Sequence, residues 1–310
     1  MALVLKLKEA RVEAGLSQNQ VAEMLAMSLK AYQAWEQGKS VPSLEELRTL
    51  AILFRTTLHA LAGLDVNMTQ GFEDNDADLM ADENGFWGHV GIKLKRHDKV
   101  IWYPVSLRTS DTLRAGVNGA VDPEFLMPFA TLDNRLVRLR LSQVSRLYLL
   151  GDGCDLPGDG SFPETCDALH GYSGHPLVVY EAMVAILEDH LTGSALSAGF
   201  DAAIVEHAQQ VISASGLGGE EILAQILHTR VIQANGEDYS FRSETDCVLE
   251  VDTMIDMVSA DFLPFVDHDN GHEIYFREED VVLLQLPISE LLKAEDLAVA
   301  QIEAIDEVRH

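Results

Sequence analysis

Gly15-Leu16-Ser17-Gln18-Asn19-Gln20-Val21-Ala22-Glu23-Met24-Leu25-Ala26-Met27-Ser28-Leu29-Lys30-Ala31-Tyr32-Gln33-Ala34-Trp35-Glu36-Gln37-Gly38 reads as two short helices on either side of a tight turn. Ser17 offers a side-chain oxygen to an orphan amide of the first helix, and Val21, Ala22 and Leu25 then share one helical face. Ser28 repeats the capping signal. Tyr32 and Trp35 follow at helical spacing and turn inward, so Leu29, Lys30, Gln33 and Gln37 project from the other side. Gly38 stands where a left-handed residue ends a helix at least cost. Two such helices, the second presenting polar side chains, have the geometry that fits a DNA major groove.

Working outward, Leu3 to Ala14 reads as a preceding helix with Leu7, Ala10 and Ala14 on one stripe. Past the turn at Lys39-Ser40-Val41-Pro42, Ser43 caps a fourth helix. Glu45 and Glu46 sit in its favoured first turn, and Leu47, Leu50, Ala51 and Phe54 form its stripe. A fifth helix over Thr57 to Ala62 ends at Gly63. The expected fold class is therefore an all-α five-helix domain over 1–66, followed by an acidic linker over 67–85 and an α+β body over 86–310.

The motif residues Gly15-Leu16-Ser17-Gln18, Val21-Ala22, Ser28, Tyr32-Gln33-Ala34-Trp35-Glu36-Gln37-Gly38-Lys39 and Pro42-Ser43 make this segment resemble the lambdoid phage repressor/Cro family, the XRE-type helix-turn-helix domains. The resemblance covers about a fifth of the chain. It implies sequence-specific binding of a double-stranded operator, usually as a homodimer. By resemblance Gln18, Ser28, Leu29, Lys30 and Gln33 belong to the DNA-facing set, Gln37 and Lys39 meet backbone phosphate, and Arg11 with Glu36 forms a structural ion pair. Tyr32 stands where the family usually has an aliphatic. Leu29 replaces a usual polar residue and offers a thymine methyl contact instead of a hydrogen bond.

A net charge of −28 argues against a nucleic-acid partner until its distribution is read. Residues 1–66 are neutral, 67–85 carry −6, 86–156 carry +3 and 157–310 carry −25. The acid is thus kept off the motif, which shows a basic edge through Lys30 and Lys39. Around Gly71 the acids Glu73, Asp74, Asp76, Asp78, Asp82 and Glu83 read as a solvated tether.

At 310 residues and 47% hydrophobic the chain has the means to bury substantial cores. No cleavage-site pattern opens it, and the apolar run from Leu177 to Leu187 is too short to span a bilayer, so the expectation is a cytoplasmic protein with no membrane partner. Three sparse cysteines argue against a secreted disulfide framework.

The body reads as a duplicated unit, over 88–156 and 226–290. Val90 to Leu94, His97-Asp98 and Val100 to Tyr103 correspond to Thr229 to Ile232, Asn235-Gly236 and Tyr239 to Phe241. Phe125 to Phe129 with Asp133-Asn134 corresponds to Phe262 to Phe265 with Asp269-Asn270, at an offset of 136–137 residues. Strands at Leu136 to Leu141 and Val144 to Leu150 match Ile274 to Arg277 and Val281 to Leu286. Two small twisted sheets or half-barrels are expected, one from each copy. Helices are expected at 176–190, 201–214, 220–227 and 288–308.

Cys154, Cys166, His170 and His175 have zinc-compatible ligand types but lack the short cysteine pair of a zinc finger, so the metal-free reading is preferred. Asp267-His268-Asp269-Asn270-Gly271-His272-Glu273 reads first as a hairpin turn. Arg138 and Arg140 share one strand face, expected to be solvated or, with Lys93, Lys95, Arg96 and Arg146, to touch phosphate. No phosphate loop, dinucleotide fingerprint, nucleophile elbow or metalloprotease motif occurs, so no catalytic residues and no cofactor are expected. The expected function is a dimeric DNA-binding transcriptional repressor whose body senses a small-molecule or protein effector. The alternative is an antitoxin-like or phage-defence protein whose acidic body holds a protein partner while its head autoregulates.

Overall fold

The computed structural model describes residues 6–13, 16–25, 27–40, 42, 46, 49–50, 53–54, 61, 85–163, 169–188, 199–257 and 260–308. In the N-terminal part these form α1 (Leu7–Glu13), α2 (Gln18–Met24) and α3 (Leu29–Glu36). Leu7, Val21, Ala22, Tyr32 and Trp35 converge with Leu50, Phe54 and Leu61 on one small core. Of the fourth and fifth expected helices only scattered residues are described, and the tether over 67–84 lies outside the described residues.

In the body, β1 (Phe86–Leu94) pairs antiparallel with β2 (Val100–Ser106). Next come α4 (Leu107–Ala115), β3 (Leu126–Ala130), β4 (Arg135–Arg140) and β5 (Val144–Gly151). Then follow α5 (Leu177–Leu187), α6 (Ala202–Ser215), α7 (Gly219–Leu227), β6 (His228–Gln233) and β7 (Asp238–Arg242). The chain continues through α8 (Thr245–Met257), β8 (Phe262–Val266), β9 (Glu273–Arg277), β10 (Val281–Pro287) and α9 (Ile288–Val308). The four helices expected in the body are present, two with capping chemistry at their starts. Asp201 accepts the Ala203 amide at 2.8 Å, and Glu221 reaches back to the Gly218 amide at 2.9 Å.

The expectation of two small sheets, one from each copy, is corrected by the strand pairing. β2-β1-β5 form one sheet and β8-β9 a hairpin, but β3-β4-β10-β6-β7 form a single five-stranded sheet that joins strands of both halves. The reason lies in β10. All seven of its residues, Val281 to Pro287, are buried, so both of its edges need partners; β6 takes one and β4 the other. Asn134 locks that junction. In the left-handed conformation (φ 64°), it donates to Ile226 O and Ser289 Oγ at 3.1 Å and accepts the Ser289 amide at 2.9 Å, so a turn of the first half caps α9 of the second.

Among the described residues two α-helices were not expected. α4 starts where Ser106 Oγ accepts the Thr109 amide at 3.2 Å, yet its Ser/Thr/Asp content hides it from a propensity reading. α8 carries Asp252 and Asp256 four residues apart, which resembles a solvated face. Both carboxylates instead turn inward, toward β4.

That inward face overturns the expected solvated or phosphate-touching role of Arg138 and Arg140. Arg138 is 1% exposed, with Nε 2.7 Å from Asp252 Oδ1 and NH1 2.6 Å from Asp256 Oδ1. Arg140, also buried, donates from Nε to Val281 O at 3.0 Å and from NH2 to Glu278 Oε1 at 2.6 Å. Strand alternation places the two guanidinia on one face; α8 meets Arg138 with opposite charge, and Glu278, before β10, meets Arg140.

Candidate nucleic-acid interface

The ends of α2 and α3 are built from local chemistry. Ser17 Oγ accepts the Gln20 amide at 3.3 Å while Gln20 Oε1 accepts the Ser17 amide at 2.8 Å, a reciprocal capping box that satisfies two donors at once. Ser28, extended at φ −76° and ψ 142°, caps α3 by accepting the Ala31 amide at 3.2 Å. At the other end Gly38 adopts φ +65°. Its amide donates to Trp35 O at 3.0 Å and that of Lys39 to Ala34 O at 2.9 Å, the two reversed bonds of a Schellman ending. α3 is thereby fixed at both ends.

Its inner face is set by Tyr32 and Trp35, buried and packed edge to face with ring centroids 6.4 Å apart. Tyr32 fills the position where the resemblance implies an aliphatic, and burial pushes its hydroxyl pKa up. Its outer face carries Leu29, Lys30 and, beyond the helix, Gln37 and Lys39, all exposed, with Ser28 exposed at the start. Gln33 is half-buried.

Gln33 is drawn inward by a chain of side chains. Its Nε2 donates to Gln18 Oε1 at 3.1 Å, Gln18 Nε2 donates to Glu36 Oε2 at 2.5 Å, and Arg11 Nε donates to Glu36 Oε1 at 2.6 Å. Arg11 NH1 also reaches Leu16 O at 2.8 Å. All three helices are thus tied through one carboxylate. Burial alone would raise the Glu36 pKa, but the hydrogen bonds from Arg11 and Gln18 outweigh it and hold the group below its ordinary value. The chain orients Gln33, and among the described residues no hydrogen bond occupies its Oε1 or its second amide hydrogen, an acceptor and donor side by side. Gln20's capping role and the Gln33–Gln18 bond are the parts the sequence reading missed. The Ser17-x-x-Gln20 spacing is a signal for the first; nothing local marks the second.

The remaining candidate residues lie apart from this region in sequence. Cys154 is exposed, Cys166 lies outside the described residues, His170 Nδ1 is 3.0 Å from Tyr180 Oη, and His175 Nε2 is 3.0 Å from Leu169 O. Burial lowers the His175 pKa. Among the described residues no three His, Cys, Asp or Glu side chains gather as a metal site. The 267–273 run forms the β8–β9 turn, where Asp267 Oδ1 accepts the Asp269 amide at 2.9 Å. Among the described residues no helix is long and apolar enough to cross a membrane.

Residues 7–61 match the family model described as Helix-turn-helix. A curated relative, the HTH-type transcriptional activator BcrR of Enterococcus faecalis, is 31% identical over 83 residues, 27% of this chain. The match spans 41% of that protein's length. No solved structure matches the chain. With the capped α2–turn–α3 unit and its buried Tyr32 and Trp35, the N-terminal segment is a helix-turn-helix domain of the XRE type.

Proposed function

We propose that this chain is a sequence-specific DNA-binding transcription regulator acting as a homodimeric repressor in the cytoplasm. The single observation that carries the reading is α3, capped at both ends and braced by the Arg11–Glu36–Gln18–Gln33 chain. It presents Leu29 and Lys30 outward and holds the half-buried Gln33 beside them in one orientation, a rigid reading surface. Lys30 and Gln33 reach base edges, Leu29 meets a thymine methyl, and Ser28, Gln37 and Lys39 hold phosphate. Selection of bound fragments from genomic DNA tests it: a recurring half-site, doubled at a spacing near one helical turn, is expected. Fragments without a shared sequence would contradict it.

The dimer is assigned to the body. The buried stripe of α9, Ile288, Leu291 and Ala294, runs on into Leu297, which is 46% exposed. The body is also where an effector is sensed. A second reading is favoured by the charge of −25 over 157–310: the body holds a basic protein partner while the head represses its own gene. Co-purification of one basic protein at stoichiometric ratio with the full chain supports this second reading, and release of DNA on its binding would join the two.

A further inference from the structure

The register of the first sheet sets two rungs of side chains on its outer face. In one rung Trp102, Gly91 and Tyr148 lie side by side; in the next, Val100, Lys93 and Arg146 do. Gly91 is what brings the aromatics together. A Cβ there would stand 2.5 Å from the Trp102 ring, so the indole closes over the bare backbone and meets Tyr148 at 5.3 Å between centroids, tilted by 31°. The indole is held in place: Nε1 donates to Ser161 O at 2.8 Å and the Phe162 ring meets it edge-on at 4.9 Å.

Beside this ring opens a groove of about 960 Å³, a volume suited to a small molecule. Four cations line it, Lys93, Lys99, Arg146 and Arg230, against two carboxylates, Asp98 and Asp159, in a chain where acids outnumber bases 50 to 22. The guanidinium of Arg146 is pre-oriented by Tyr148 Oη at 2.6 Å and Asp159 Oδ2 at 3.1 Å, and stays 61% exposed. Lys93 Nζ is steered by His97 O at 2.7 Å and Asp98 O at 2.6 Å, which leaves its third hydrogen free to donate. Arg230 spends Nε and NH2 on Asp238 and keeps NH1. Lys99 is exposed and forms no ion pair among the described residues.

We propose that this groove binds a small planar ligand bearing a phosphate, a compound of the nucleotide class. Its ring lies against Trp102 and its anionic group is held by Lys93, Lys99 and Arg146. An aromatic face flanked by convergent, pre-oriented cations is the donor set such a ligand requires. A role for that ligand as the effector rests on the regulator reading above; occupation of the groove does not.

The test is calorimetric titration of the full chain, without DNA, with AMP, UMP, adenosine, uridine and inorganic phosphate, followed in parallel by tryptophan fluorescence. At least one nucleotide is expected to bind about tenfold or more tightly than its nucleoside and than phosphate alone, since only it uses both halves of the site. Lys99→Gln and Arg146→Gln, at exposed positions that leave folding intact, are expected to weaken it by about tenfold each. Trp102→Leu removes the preference for nucleotide over phosphate. Lack of binding by either nucleotide at roughly millimolar concentration would overturn the proposal, as would affinities untouched by the Lys99→Gln/Arg146→Gln pair. A single-stranded oligonucleotide binding about tenfold more tightly than either mononucleotide would overturn it too, in favour of a strand-binding surface. Because no duplex DNA is present in the titrations, a chain that binds AMP yet selects no genomic sequence would keep the groove and lose the regulator.

Discussion

Glu36 ties the three described helices of the head together, since Arg11 and Gln18 both donate to it and Gln33 follows Gln18. Its folded pKa lies below the ordinary value of 4.5, so its contribution to stability is fully present above that value. That contribution is lost as pH falls through the depressed folded value. Melting of the full chain between neutral and strongly acidic pH is expected to show a head transition that weakens in this window, and Glu36→Gln is expected to flatten the dependence. An unchanged profile in the variant would remove Glu36 from the explanation. Arg138 is the corresponding residue of the body, where burial opposes its charge while Asp252 and Asp256 raise its pKa above the ordinary arginine range. Arg138→Met alone strands two buried carboxylates and is expected to cost about 3–5 kcal/mol in denaturant unfolding. Adding Asp252→Leu and Asp256→Leu is expected to recover most of that loss. Strand alternation made it legible that Arg138 and Arg140 share a face. It held no information on which face meets solvent, because that depends on α8, more than a hundred residues away.

The elements of the head were legible because their ends are written locally. Ser17 with Gln20, Ser28 with Ala31, and Gly38 each act within a few residues of themselves, and each sits where the sequence places it. Gly38→Ala is expected to destabilise the head by about 1 kcal/mol, since its φ of +65° disfavours any Cβ while the space around it is open. Ser28→Ala is expected to cost about as much by freeing an amide of α3. The body was half legible for the same reason. Its hairpins announce themselves through Asn235-Gly236 and Asn270-Gly271, whereas α4 is held by tertiary packing of Leu113 rather than by propensity. That β10 takes β4 across from the other half is a non-local fact. The burial of all seven β10 residues explains it afterwards, but an apolar run alone suits an edge strand such as β5 equally well.

For the whole molecule, the charge distribution and the unfinished stripe of α9 decide behaviour. Light scattering of the full chain at micromolar concentration is expected to give a dimer, and Leu297→Glu to give a monomer that keeps its fold; a wild-type monomer would contradict the assignment. A body carrying −22 repels the duplex, so operator binding is expected to weaken steeply with salt only through the contacts the head makes. The most direct measurement is therefore a comparison of binding to the genomically selected site and to a scrambled duplex at several salt concentrations, for the wild type, Gln33→Ala and Lys39→Ala. Gln33→Ala is predicted to lose about 1–3 kcal/mol on the selected site alone. Lys39→Ala is predicted to weaken both duplexes alike and to lower the salt slope by about one. Affinity and sequence preference that survive replacement of Gln33, Lys30 and Leu29 together would show that α3 is not the reader.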